Sequence, residues 1–186
     1  SAFGNYVPTT TDHTYNDILP SVTLRFDLAK DLLARVAVSR TMTRPDYSAL
    51  AGALSLSPPA QVGDVGGGSG SNPDLKPIRS NNVDASLEWY FAPRSLLSAG
   101  WFYMDLQSYV GLGQSQHDYL TFDQAHPQGY MAPYVLTVPV NSSGKVQGLE
   151  LAYSQPVFGN FGVEANYTYT DAVDKDGGPI VGASRN

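Results

Sequence analysis

The sequence of 186 residues contains no cysteine. That excludes a disulfide framework and any thiolate metal site. Positive charge is scarce: 11 Lys and Arg stand against 17 Asp and Glu, a formal net charge of −6. No basic stripe is present to meet phosphates, so nucleic acid is excluded as a partner. No apolar run approaches the roughly 20 residues of a membrane helix. A β-barrel is not excluded by this, because its strands hide their lipid face in alternation. The three histidines, His13, His117 and His126, have no neighbour at metal-ligand spacing. Asp171, Asp174, Asp176 and Gly177 open like a calcium loop, but the twelfth position counted from Asp174 is Arg185 where the motif needs Glu. Gly66-Gly67-Gly68-Ser69-Gly70 is followed by no Lys-Ser/Thr pair and opens no helix, so it reads as a flexible tract, not a phosphate loop. Glu88 and Glu150 share a polar face without any partner of catalytic type. The chain therefore reads as a non-enzyme, with no catalytic residue, metal or cofactor.

What is abundant is tyrosine, 12 residues, with 18 glycines and 13 prolines. That composition suits β-structure with long loops. The ordering element is the stretch Asn72-Pro73-Asp74-Leu75-Lys76-Pro77 and the strand that leaves it. From Asn81 to Phe91 the alternation is unbroken: Val83, Ala85, Leu87, Trp89 and Phe91 on one side, Asn82, Asp84, Ser86, Glu88 and Tyr90 on the other. The same unit recurs. Strands are predicted at about 18–28, 32–43, 79–91, 96–110, 144–155 and 161–171, in one domain over 1–186. Short turns at Leu28–Asp31, Ala92–Ser95 and Pro156–Asn160 alternate with long loops at 43–78 and 111–143. Each strand has about the length a tilted strand needs to cross a bilayer, and short turns on one side with long loops on the other is the asymmetry of an outer-membrane barrel. Leu24, Val36, Leu87, Leu151 and Val163 fall on the apolar parity, Arg25, Arg35, Glu88, Glu150 and Glu164 on the polar one. Trp89, Phe91, Tyr153 and Phe161 lie near the short turns, where an aromatic girdle belongs.

The Asn72-Pro73-Asp74-Leu75-Lys76-Pro77 stretch resembles the Asn-Pro-x-Leu-x-Pro segment of TonB-dependent outer-membrane receptors, with Asn72, Pro73, Leu75 and Pro77 as the motif residues. Arg40-Thr41-Met42-Thr43-Arg44-Pro45, Gly148-Leu149-Glu150-Leu151 and Asn166-Tyr167-Thr168-Tyr169-Thr170-Asp171 resemble other strands of that family. Ile78 departs from it, standing where many members have Glu. The resemblance implies an all-β, antiparallel up-and-down meander, a six-strand segment of a transmembrane β-barrel of about 22 strands. It implies a Gram-negative outer-membrane location, contact with outer-membrane lipid, and import of a scarce nutrient with energy from TonB. The plug region that engages TonB has no counterpart here, and both ends of the sequence read as cuts in a longer polypeptide.

The 111–143 stretch carries the ligand candidates His117, Tyr119, Phe122, His126, Tyr130 and Tyr134. Flat aromatic faces beside Asp118, Asp123, Gln124 and Gln128 suit the stacking and hydroxyl bonding of a saccharide, and the stretch has no Lys or Arg for an anionic chelate. Carbohydrate is therefore expected over siderophore. Packing between loops explains the same aromatics. The alternative function is a secreted or surface all-β carbohydrate-binding module. The two differ in whether the gene continues beyond both ends: the receptor reading expects a plug before Ser1 and more amphipathic strands after Asn186.

Overall fold

The computed structural model describes residues 12–180. Its elements in order are β1 (Ser21–Ala29), β2 (Leu32–Thr43), a one-turn helix α1 (Tyr47–Ala51), β3 (Ser55–Ser57), β4 (Gly66–Ser69), β5 (Ile78–Ala92), β6 (Ser95–Thr121), β7 (Tyr130–Phe158) and β8 (Phe161–Asp174). β1, β2, β5, β6, β7 and β8 form a meander in which each strand pairs antiparallel with the next. Two short strands are added that the alternation does not reveal. β3 pairs antiparallel with β4, and β4 pairs parallel with β7 at Gly66↔Tyr134 through Ser69↔Thr137.

The register lines up whole rows across the meander. One row runs Leu24, Val36, Ala85, Trp101, Leu149, Tyr169 and the next Phe26, Ala34, Leu87, Ala99, Leu151, Tyr167. Directly paired residues in an antiparallel ladder share a face, so these rows make one continuous apolar face. The opposite face carries Arg25, Arg35, Ser86, Gly100, Glu150 and Thr168 in one row. There Arg35 Nε donates to Glu88 Oε1 at 3.0 Å, and Arg25 pairs with Asp27 at 2.8 Å. Above the apolar rows lies a polar one: Arg40, Asn81, Asp105 and Lys145.

Among the described residues nothing packs on the apolar face. Leu24 is 54% exposed, Leu87 43% and Leu149 51%. Among the described residues α1 is the only helix, five residues long, and no helix is long and apolar enough to cross a membrane. The buried apolar residues are Leu33, Leu75, Ala132, Tyr134, Leu136, Val138 and Ala172. Four of these, Ala132, Tyr134, Leu136 and Val138, form one cluster on β7, beyond the polar row. The meander itself has almost no core of its own.

The largest departure from the sequence reading is the expected loop 111–143. β6 and β7 run on through it as a paired ladder from Tyr109↔Ser142 to Thr121↔Tyr130, leaving only residues 122–129 as a connection. The two strands thus project about 45 Å beyond the polar row as an arm, at about 3.3 Å per residue. The extension is hidden in the sequence by a bulge: Leu106 faces Gly144 and Tyr109 faces Ser142, so β6 has one residue too many. Odd-numbered residues of β6 lie on the apolar face before the bulge and on the opposite face after it.

The short turns are also tighter than expected. Lys30-Asp31, Pro93-Arg94 and Gly159-Asn160 suffice, and Pro156 to Phe158 belong to β7. Near them the rings of Trp89 and Phe91, Phe91 and Tyr153, and Phe158 and Phe161 lie 5.5, 6.1 and 5.2 Å apart. In the turn after β5, Pro93 fixes its own φ, and Arg94 then takes φ 60°, a left-handed conformation that costs a residue with a Cβ about 1 kcal/mol. Arg94→Gly in the full-length receptor is expected to raise unfolding free energy by about 0.5–1 kcal/mol, read from a urea titration in detergent micelles. A fall instead of a rise would mean that the Arg94 side chain holds the turn through its own contacts.

Candidate functional site

The arm brings four of the six predicted ligand residues onto one face. His117 is paired with Tyr134, Tyr119 with Ala132, and Thr121 with Tyr130. Phe122 and His126 lie in the connection at the tip. This clustering depends on the bulge, which turns His117 and Tyr119 to the side of Tyr130 and Tyr134.

Geometry then separates the aromatic residues by role. Tyr134 is 2% exposed, and its hydroxyl shares a 2.7 Å hydrogen bond with Thr121 Oγ1. Tyr119 meets the Tyr134 ring edge-on at 5.5 Å and 87°. His126 meets Tyr130 edge-on at 5.2 Å, while Asp123 accepts from the His126 backbone N–H at 2.7 Å and contacts its Nδ1 at 2.9 Å. Burial raises the Tyr130 phenol above its ordinary pKa, with the Asp123 charge adding to it. These rings spend their faces and edges on one another, as aromatic pairs in a core do. Tyr134 is a core residue of the arm and offers no surface to a ligand. Phe122 and His117 remain exposed, with His117 Nε2 2.8 Å from Ser115 Oγ.

The motif residues form a second structure, at the root of the arm. Asn72 Nδ2 donates to the Pro139 carbonyl at 3.0 Å, while its Oδ1 accepts from the Asp74 N–H at 3.0 Å. Asn141 answers from β7: its Oδ1 accepts from the Lys76 N–H at 2.7 Å and its Nδ2 donates to the Lys76 carbonyl at 3.0 Å. The bulge residue Ser108 donates to the Pro77 carbonyl and accepts from the Arg79 N–H. Leu75 and Pro77 are fully buried. Two prolines without N–H groups thus sit where no ladder bond is required of them, and β5 starts at Ile78 immediately after. Beside the clamp, Asp17 is held by Arg79 at 2.7 and 3.0 Å, and that hydrogen bonding keeps its carboxyl below the ordinary range. A cavity of about 770 Å³ adjoins it, with Tyr15, Met42, Arg44, Tyr47, Leu75 and Pro77 in its wall. None of the six predicted ligand residues lines it. The sequence pointed to Asn72 but not to Asn141, Pro139 or Ser108. Asn141-Ser142-Ser143 carries a glycosylation-acceptor pattern, and that is the only local signal Asn141 shows.

Glycine decides how the tract 66–70 is used. A Cβ on Gly66 would lie 2.6 Å from two atoms of the Tyr134 ring, and one on Gly68 would run into the Ser55 carbonyl oxygen of β3 and lie 2.9 Å from Leu136 Cδ2. The expected flexible tract is therefore an ordered strand, β4, that is covered by Tyr134 and Leu136. Aromatic cover over a strand glycine is a known stabilising device.

The comparisons agree with this geometry. The TonB dependent receptor-like β-barrel family matches residues 1–186. Among solved structures, the siderophore receptor PirA from Acinetobacter baumannii superposes with TM-score 0.68 at 21% identity, over 87% of this chain and 24% of that one. A mutant of the ferric enterobactin receptor PfeA from Pseudomonas aeruginosa, in complex with enterobactin, gives TM-score 0.65 at 20% identity, over 83% and 22%. PirA from Pseudomonas aeruginosa gives TM-score 0.56 at 16% identity, over 84% and 28%. The chain thus spans about a quarter of the length of these structures. No curated protein sequence matches it. A two-faced meander of bilayer-length strands, bare on its apolar side and matched throughout by one family, has one reading: the chain belongs to the TonB-dependent receptor β-barrel family of transport receptors, which are proteins of the Gram-negative outer membrane.

Proposed function

We propose that the chain is part of the barrel wall of a receptor that binds and imports a scarce nutrient, driven through TonB by way of a plug region, and that the nutrient is an iron chelate of the siderophore class. The observation that carries the transport reading is the bare apolar face. Apolar rows with no covering layer require an apolar solvent, and lipid supplies it. A secreted binding module of this composition would need a second layer to cover them, and that reading is set aside.

The ligand class departs from the saccharide expected from sequence. That expectation needed free aromatic faces, and Tyr119, Tyr130 and Tyr134 are engaged with one another or with His126. Siderophore receptors recur among the structural neighbours, including one determined with enterobactin. The exposed His117 and Phe122 are the arm residues left for ligand contact. The test uses a strain lacking the gene, complemented with the full-length receptor. Iron-limited growth and labelled-iron uptake are measured with ferric siderophores, and labelled oligosaccharides are run alongside. The expected result is uptake of an iron chelate that disappears when TonB is deleted. Saccharide uptake with no chelate uptake overturns the ligand class. Uptake that survives loss of TonB overturns the mechanism.

A further inference from the structure

We infer that the segment 44–77 is a strap that holds the β6–β7 arm in one orientation, with Gly66 and Gly68 as positioning residues acting through Tyr134 and Leu136. Among the described residues no other strand pairs with the arm. β8 pairs with β7 only from Gly144 downward. β5 reaches no higher on β6 than Ser108. Above that level the free edge of β7 is taken by β4 alone, through Gly66 to Ser69. At that same level the β6 bulge interrupts the ladder, and bulges bend the strand that carries them. A two-stranded ribbon with a bulge at its root has low stiffness, since isolated hairpins are marginal in water.

The strap removes that freedom at three points. The ladder β4–β7 fixes the middle of the arm, extended by the Gly70 N–H donating to the Thr137 carbonyl at 3.1 Å. Asn72 and Asn141 fix its root from opposite sides. Ser108 ties the bulge itself to the end of the strap. Within the strap, α1 is tied to the far end: the Asn72 N–H donates to the Ala49 carbonyl at 2.8 Å and Ser71 Oγ donates to the Gly52 carbonyl at 3.1 Å. β4 fits between β3 and β7 only because Gly66 and Gly68 leave room for Tyr134 and Leu136 and for the Ser57 and Ser55 carbonyl oxygens of β3. At Gly67, between them, a Cβ meets nothing within 4 Å. The three glycines therefore divide into two that matter and one that does not.

The test uses the full-length receptor in outer-membrane preparations, with Gly68→Val, Gly67→Val and the double substitution Gly67→Cys with Val135→Cys. Gly67 and Val135 are paired, and neighbouring strands about 4.8 Å apart lie within disulfide reach. The expected results are a disulfide that forms in air, and amide exchange across 130–140 that is about tenfold or more faster in Gly68→Val while 83–89 keeps its protection. Gly67→Val leaves both regions as in the parent. Failure of the disulfide to form overturns the inference, and so does unchanged arm protection in Gly68→Val or equal loss in Gly67→Val. If Gly68→Val does not assemble, the disulfide decides alone. Ligand is needed only for a last arm, which rests on the function proposed above: iron-chelate affinity falls in Gly68→Val and is kept in Gly67→Val. Equal affinity in both shows that the arm's orientation does not serve binding and overturns the positioning role. Absence of chelate binding in the parent counts against the function proposal alone.

Discussion

Leu87→Arg in the full-length receptor is expected to reduce the yield of folded protein in the outer membrane by an order of magnitude or more. Glu88→Arg is expected to leave most of it. The two positions are adjacent in sequence and opposite in space. Leu87 lies in the row with Ala34, Ala99 and Leu151, in the middle of the apolar face. A guanidinium on the lipid side near mid-bilayer costs about 2–4 kcal/mol, and one on the lumen side far less. Glu88→Arg does break the Arg35 pair and sets two guanidiniums side by side. The lumen is wet, however, and exposed ion pairs there are worth about 1 kcal/mol or less. The measurement is heat-modifiable mobility of the outer-membrane fraction on a gel, with protease resistance as a second readout. Equal yields from the two variants would mean that the apolar face does not meet lipid.

Gly148→Ala is expected to be the most damaging single-methyl change in the meander. Gly148 pairs with Phe102 on β6 and Thr170 on β8. A Cβ there would run into the Tyr169 carbonyl oxygen and would lie 2.5 Å from Phe102 Cζ. A ring can turn, but the carbonyl belongs to the β7–β8 ladder and cannot move without opening it. Overpacking of this kind costs about 1–3 kcal/mol, with the loss of ladder bonds added. Gly67→Ala, where the space is open, is the matched control and is expected to stay within about 0.5 kcal/mol of the parent. Urea unfolding in micelles separates them, and similar midpoints would show that β7 and β8 stand farther apart than this geometry has them.

The meander was readable because period-2 alternation is a local signal. Leu32, Ala34, Val36 and Val38 declare their face without help from any other strand. Tight turns rich in Pro, Gly and Asn marked where the chain reverses. The arm was not readable, and the reason is specific. The bulge at Gln107 and Ser108 exchanges the faces of β6, so Tyr103 and Tyr109 share a parity in sequence but not a side in space. Beyond it Gly111, Gly113, Gln114 and Gln116 look like a loop because the pairing supplies what their side chains do not. The Gly66–Gly70 tract misled in the opposite direction. Its composition states freedom, and β3 on one edge with β7, nearly 70 residues away, on the other remove it. Four of the ligand candidates share one face of the arm, and the burial of Tyr134 among them was not readable, since no spacing rule says which rings face each other. Asn72 stood out through its motif, but its counterpart Asn141 has significance only once β7 lies beside it.

The strap also has a consequence for the order of assembly. Its bonds to β7 join residues that are far apart in the chain: Asn72 to Pro139 across 67 positions and Lys76 to Asn141 across 65. The hairpins between them, β5–β6 and β6–β7, close over short turns and a single brief connection. Contacts of such long separation carry the larger loop-closure cost and come late. Segment 44–77 therefore stays unpaired with the arm until β7 is in place beside β6. During that interval it offers only the short edges of β3 and β4, of three and four residues, too short to template a wrong partner. Closure of the strap comes after the β5–β6 and β6–β7 hairpins, and it records that their strands are already in register.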